Sequence, residues 1–277
     1  DGENEAQMVY QFSLPPLVLH AVHRQDVKAL CQWAGSLALP SSHTTWFNFL
    51  ASHDGIGLNP LRGILPESEI LSLVENLQQE GALVNWKNNP DGTRSPYEIN
   101  VTYLDALSLQ DSSDEERIAR FLLAHAVLLS FPGVPAVYIQ SILGSRNDYE
   151  GVERLGYNRA INRKKYTAGQ LDSELNNKKS IRYQIYSRLS EFIAIRRGER
   201  AFHPDSQAAF DAVGKQILKI IRVAENGERI TALFNFSNKM QTVYEQTLSG
   251  KELLSGQDIS GTELILNPWQ VMWIKEN

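Results

Sequence analysis

An apolar stretch, Trp46-Phe47-Asn48-Phe49-Leu50-Ala51, breaks off at Ser52-His53-Asp54-Gly55-Ile56-Gly57. The run is aromatic and apolar enough for a strand buried on both faces, as in a parallel sheet, and the two glycines mark where the backbone must turn. Polar groups at the carboxyl end of such a strand are where α/β folds carry their sites, so His53 and Asp54 are candidate functional residues. On spacing alone, a packed histidine and a turn aspartate closing an ordinary strand fit the pattern equally well.

Two further segments repeat the strand-then-helix rhythm. Met8 to Phe12 reads as a short strand, followed by a helix from Pro15-Pro16 with Leu17, Val18, Ala21 and Val22 on one face, and by a second helix over 26–36. Pro135 to Gln140 reads as another short buried strand, and Ile181 to Arg197 as an amphipathic helix. With the helix that begins at Pro66-Glu67, these give three units: 8–36, 46–80 and 135–197. Ser112 to Glu116 is a helix start with acidic residues in its first turn, ahead of an apolar helix that ends before Pro132-Gly133. Gly81 to Asn100 holds almost every strong turn former and predicts a long ordered loop, of the kind that commonly serves a site. Residues 144–166 predict a second, polar loop. After Pro204 the pattern becomes alternating or short apolar runs between Asn-Gly, Ser-Asn and Ser-Gly turns, which is an all-β signature. The expected organisation is therefore α/β over 1–200 and all-β over 201–277.

A net charge of −5 gives no electrostatic reason to expect nucleic acid or an acidic membrane surface, and Arg163-Lys164-Lys165 reads as a solvated loop. The longest apolar runs, such as Phe121 to Phe131, fall far short of the roughly 18 residues a membrane span requires. No basic-then-apolar leader opens the chain, so a soluble, cytoplasmic location is expected. Cys31, the single cysteine, excludes an intramolecular disulfide and sits in a helical pattern that predicts a core thiol. His20, His23, His43, His125 and His203 do not cluster at metal-ligand spacing. Trp269 and Trp273, four apart in a strand pattern, are expected on one sheet face in the core. No phosphate-binding glycine loop, nucleotide fingerprint or Ser/His/Asp signature appears, and neither a cofactor nor a metal is expected.

Phe49-Leu50-Ala51-Ser52-His53-Asp54 resembles the seventh-strand motif of the α-amylase clan, and Asp54-Gly55-Ile56-Gly57 narrows the likeness to the sucrose phosphorylase family. Ser95-Pro96-Tyr97-Glu98-Ile99-Asn100, Phe131 to Tyr138, and Arg159-Ala160-Ile161-Asn162-Arg163 match in order, so the likeness runs nearly end to end. The resemblance implies that the three units are strands six to eight of a (β/α)8 barrel, followed by the family's small β-domain. Asp1 to Gln7, with no start methionine, reads as a chain entered midway. The first five strands being absent, a barrel sector of this kind has an apolar sheet face and unpaired edges to cover. The expected partner is the amino-terminal half or a second copy of the chain.

The family moves glucose, with retention, between phosphate and an acceptor such as fructose or glycerate. By resemblance, Asp54 steadies the oxocarbenium-like transition state and His53 contacts the glucosyl unit. Tyr97 and Glu98 lie on the acceptor side, and Arg159 closes the bottom of the glucosyl pocket. Glu98 stands where the family commonly has glutamine, and Ser95-Pro96 replaces an aspartate-led pair, which points away from sucrose as the donor. The nucleophile and acid/base carboxylates belong to strands four and five, and nothing here matches either motif. Glu3 and Glu5 precede a strand and so are wrongly placed for the acid. The isolated chain is expected to be inactive, with Arg159 lacking its carboxylate partner, the 144–166 loop loose, Arg163 structural, and Asn147 and Asp148 shaping the loop. The rival readings are a hydrolase or transglucosidase of the same clan, and a non-catalytic carbohydrate-binding or relic subunit.

Overall fold

The computed structural model describes residues 6–38, 41, 43–109 and 112–277. Its first sheet is parallel and three-stranded, in the order β1 (Met8–Gln11), β2 (Thr45–Phe49) and a third strand, Val134–Ala136, that pairs with β2. The strand-then-helix rhythm is realised. β1 leads into α1 (Leu14–Arg24), with prolines in its first turn, and α2 (Lys28–Gly35). β2 leads, through the two-residue β3 (Ile56–Gly57), into α3 (Glu67–Gln79), whose Ile70, Leu73, Val74 and Leu77 turn inward.

Over Gly81 to Asn100, where the turn formers predict a loop, the chain instead makes a hairpin of β4 (Leu83–Asn88) and β5 (Arg94–Asn100). β5 also pairs with β3, giving a second, three-stranded antiparallel sheet in the order β3-β5-β4. The turn formers Asn89 to Gly92 occupy the hairpin tip. Pro96, which has no N–H to donate, sits at a register shift opposite Trp86.

α4 (Tyr103–Ala106) and the long α5 (Asp114–Ser130) come next, the latter opened by a capping box between Ser113 and Glu116. The chain then turns at Pro132-Gly133 into β6 (Val134–Ala136). Gly133 has φ +102°, and a Cβ there would lie 2.5 Å from Trp46 O, so only glycine lets β6 lie this close to β2. β6 stops at Ala136, sooner than the sequence pattern implies, and the chain continues through α6 (Ile139–Ile142), α7 (Tyr149–Leu155), α8 (Ala168–Leu175) and α9 (Ile181–Gly198).

The remainder is one antiparallel six-stranded sheet of β7 (Gln207–Val213), β8 (Ile217–Val223), β9 (Arg229–Asn235), β10 (Gln241–Glu252), β11 (Asp258–Leu266) and β12 (Val271–Glu276). Alternation sends Leu218, Ile220, Ala232, Phe234 and Trp273 to the helices, in the same core as α1, α3, α5 and α9. Ile217, Leu233, Val243, Leu264 and Met272 form a second cluster on the opposite face. Trp273 packs against Phe192 of α9, centroids 5.4 Å apart. Trp269 is buried too, but in the turn before β12, at φ +57°, rather than on the strand. Arg222 of β8 and Arg196 of α9 are buried at the end of α5. Arg222 Nη1 donates to Ser130 O at 2.8 Å, while Arg196 donates to Leu129 O and, at 3.0 Å, to Gly133 O. Cys31 is half-buried against the core, and burial raises its thiol pKa.

β2 is not buried on both faces. On one side Asn48 is buried, whereas on the other Tyr10, Phe12, Phe47 and Phe49 form an aromatic cluster with Tyr10 59% and Phe12 56% exposed. Such an apolar patch is the kind of surface that ordinarily meets another.

Candidate active site

The three parallel strands share a carboxyl edge, and there β2 runs out into Ser52-His53-Asp54. Ser52 Oγ accepts from Asp54 N at 3.1 Å, a local turn bond that short hydroxyl side chains make readily. The turn is pinned from outside by Asn162, in the 3₁₀ turn Asn158–Asn162, whose Nδ2 donates to Ser52 O at 2.6 Å and to Asp54 O at 3.2 Å. Tyr138, just after β6, donates its hydroxyl to Asn162 O at 3.1 Å. Burial raises the pKa of that phenol, so it stays a neutral donor.

Arg159 is the hub. Its Nη1 donates to Asp54 Oδ1 at 2.7 Å, its Nη2 to Glu98 Oε1 at 2.8 Å and its Nε to Glu98 Oε2 at 3.2 Å. The planar fork thus grips Glu98 along one edge and reaches Asp54 with the remaining nitrogen, a geometry lysine cannot reproduce. Hydrogen bonding to Glu98 is the leading cause of the raised Arg159 pKa, which keeps the guanidinium charged. Arg163 adds a second cation: its Nη2 lies 3.3 Å from Asp54 Oδ1 and its Nε donates to His53 O at 2.7 Å. His53 Nε2 is 3.6 Å from the same Asp54 oxygen, with its side chain 69% exposed. Tyr97 is half-buried, and its carbonyl accepts from Leu58 N at 2.9 Å.

His53, Asp54, Glu98 and Arg159 therefore meet, drawn from the end of β2, from β5 and from the 158–162 turn, with Tyr97 adjacent on β5. Two sequence expectations need correction. Arg159 has carboxylate partners within this chain, two of them. Residues 144–166 are folded: Asp148 caps α7, Asn147 Oδ1 accepts from Thr102 N, and the 158–162 turn is tied to Asp54 and Glu98. Arg163, expected to be structural, ties down the His53 carbonyl and also lies 3.3 Å from Asp54 Oδ1. Asn85 and Asn158 complete the network without any signal in the sequence, whereas Asn162 lies inside the 159–163 stretch already singled out. Asparagine in a turn-rich segment is too common to mark a buried contact. Glu3 and Glu5 lie outside the described residues.

Chemically, Asp54 is a half-exposed acceptor fixed between two guanidiniums at the end of a rigid strand. That suits it to hold hydroxyls or to face a developing positive charge. Among the described residues no group of three or more His, Cys, Asp or Glu is arranged to hold a metal ion. No helix among them is long and apolar enough to cross a membrane.

A parallel sheet carrying polar groups at its carboxyl edge, with an antiparallel β portion behind it, is an arrangement found in α-amylase-type enzymes. Solved structures agree on the fold. Sucrose 6F-phosphate phosphorylase from Thermoanaerobacter thermosaccharolyticum superposes with a TM-score of 0.71 at 21% identity, over 92% of this chain and 47% of that one. An α-amylase from Anoxybacillus superposes with a TM-score of 0.61 at 13% identity, over 100% of this chain and 49% of that one. In sequence, the chain is 66% identical over 274 residues to glucosylglycerate phosphorylase of Escherichia coli (strain K12), covering 99% of this chain and 49% of that protein. It is 41% identical to the glucosylglycerate phosphorylase of Allomeiothermus silvanus, over 99% and 48%, and 30% identical to sucrose phosphorylase of Agrobacterium vitis, over 89% and 49%. No protein-family model matches. The chain is a homologue of the glucosylglycerate phosphorylases and sucrose phosphorylases and has the fold of the α-amylase clan. It spans about half the length of these relatives.

Proposed function

We propose that the chain is the carboxyl-terminal part of a retaining α-glucosyl phosphorylase, moving glucose between phosphate and an acceptor, with glycerate favoured over fructose. In this reading residues 1–200 are strands six to eight of a (β/α)8 barrel with their helices, and 201–277 are the small β-domain. The parallel order β1-β2-β6, each strand beside the next, supports that assignment. The open aromatic face of the sheet is where the rest of the barrel, or a second copy of the chain, would pack.

Asp54 then stabilises the transition state, His53 contacts the glucosyl unit, Arg159 closes the sugar pocket, and Tyr97 faces the acceptor. The nucleophile and the acid/base come from the other half, so this polypeptide by itself supplies one wall of the pocket. The observation that carries the reading is the identity shared with glucosylglycerate phosphorylases across nearly the whole chain. It is tested by assaying glucose 1-phosphate from glucosylglycerate and phosphate, with the chain alone and with the full-length polypeptide that adds the nucleophile strand. The chain alone is expected to be silent. The full-length protein is expected to release product only with phosphate, and Asp54→Asn to lower its kcat about 10²- to 10³-fold, as loss of one preorganised electrostatic contact does. Turnover independent of phosphate, or by the chain alone, refutes the proposal.

A further inference from the structure

Of the two carboxylates at the site, Glu98 is by far the less accessible: its side chain is 6% exposed, against 40% for Asp54. Both of its oxygens are engaged by the protein. Oε1 accepts from Arg159 Nη2 at 2.8 Å, and Oε2 accepts from Arg159 Nε at 3.2 Å and from Asn85 Nδ2 at 2.7 Å. Asn85 Oδ1 in turn accepts from Nδ2 of Asn158, the residue before Arg159, at 2.7 Å. The four side chains form a chain that the Asn158–Arg159 peptide bond closes into a ring. The β4–β5 register places Asn85 opposite Glu98, and the absence of a side chain at Gly55 lets the strand after Asp54 press directly on the Glu98 methylenes.

A carboxylate gripped on one edge by a guanidinium and supported by an amide is built to hold that guanidinium still. With Nε and Nη2 taken by Glu98, the Arg159 fork has one orientation, and in it Nη1 lies 2.7 Å from Asp54. We propose that Glu98 is a positioning residue. It acts on the transferred glucosyl unit through Arg159 and Asp54, and does not contact the acceptor, the role its place in the sequence motif implied. The inference deepens the proposed function and rests on it.

The test uses the full-length polypeptide carrying Glu98→Gln, which keeps the side-chain volume and removes the charge. Asn85→Ala is the second variant, because Asn85 touches Glu98 but not Arg159. Hydrolysis of glucose 1-phosphate in the absence of acceptor reads the glucosyl side alone, and the KM for glycerate in glucosyl transfer reads the acceptor side. Glu98→Gln is expected to lower acceptor-free hydrolysis about 10- to 100-fold, the range for losing a charge-assisted hydrogen bond, with the glycerate KM unchanged. Asn85→Ala is expected to act in the same direction and less. A raised glycerate KM with acceptor-free hydrolysis intact overturns the proposal. Independently of turnover, the ¹⁵N-labelled 277-residue chain is expected to show a slowly exchanging Arg159 Nε–H that exchanges faster in Glu98→Gln; unchanged exchange also overturns it. If the wild-type enzyme transfers no glucose to phosphate, the proposed function fails, and the Arg159 exchange still decides the positioning role.

Discussion

Gly55→Ala separates spatial from conformational demands at the site. Gly55 does not occupy the left-handed region, so the cost of a side chain there is one of room. A Cβ would lie 2.5 Å from Glu98 Cγ, 2.8 Å from Glu98 Cδ and 2.7 Å from Ile99 O. The first two contacts involve a side chain locked in the Arg159–Asn85 ring. The third is backbone in β5, paired with β3 at Ile56↔Ile99, and cannot yield without breaking that pairing. Overpacking of this kind costs about 2–3 kcal/mol. For a chain of this size that is a fall in Tm of about 5–10 °C. Urea unfolding is the assay, with a lowered midpoint and unchanged m-value expected. Gly57→Ala is the internal control, since its Cβ would meet only Pro60 Cδ, at 3.9 Å, and should stay within about 0.5 kcal/mol of wild type. Adding Glu98→Ala to Gly55→Ala should recover only part of the loss, because the clash with Ile99 O remains. A Gly55→Ala protein as stable as wild type would refute the packing argument.

Asp54→Asn should barely alter stability, by about 0–1 kcal/mol in urea, because Asp54 and Arg159 are both about 40% exposed and solvent screens their attraction; a loss beyond about 2 kcal/mol would make Asp54 a fold element. Gly133→Ala, with φ +102° and Trp46 O 2.5 Å from the new Cβ, should destabilise by about 3 kcal/mol or more, read from the same urea midpoint. His125 is buried and its pKa is lowered by desolvation from 6.5 to about 4, with Nδ1–H donating to Phe121 O. The unfolded chain then binds the extra proton first. Stability should be level above pH 6.5 and fall as pH drops from there to about 4, by up to about 3 kcal/mol from this residue. His23, also lowered by burial, adds in the same direction. His125→Asn should flatten the dependence of the urea midpoint on pH across that window.

The strand-then-helix units were legible because apolar periodicity reports burial directly, and the start of α5 at Ser112 to Glu116 because the preference for acidic residues in a first helical turn is local. His53 and Asp54 could be placed at a strand end for the same reason. The β4–β5 hairpin was hidden because Pro96 and Arg94 break the alternation of β5, and because the turn formers at its tip dominate the window. The partners of Arg159 were out of reach in a different way. Asp54 and Glu98 lie 105 and 61 residues away along the chain, and no local pattern encodes a contact that only the meeting of β2, β5 and the 158–162 turn creates. Burial on both faces of β2 failed as an expectation because composition reports what a strand would like to cover, not what is there to cover it.

The carbonyls at the end of α5 are met by guanidiniums from two later elements, α9 and β8. A chimaera that exchanged everything after Pro204 for another β-module would leave Ser130 O facing a void unless the incoming strand carried an arginine at the register of Arg222. The seam visible in the sequence is thus a poor place to cut: what looks like an appendage is the keystone of the helix before it.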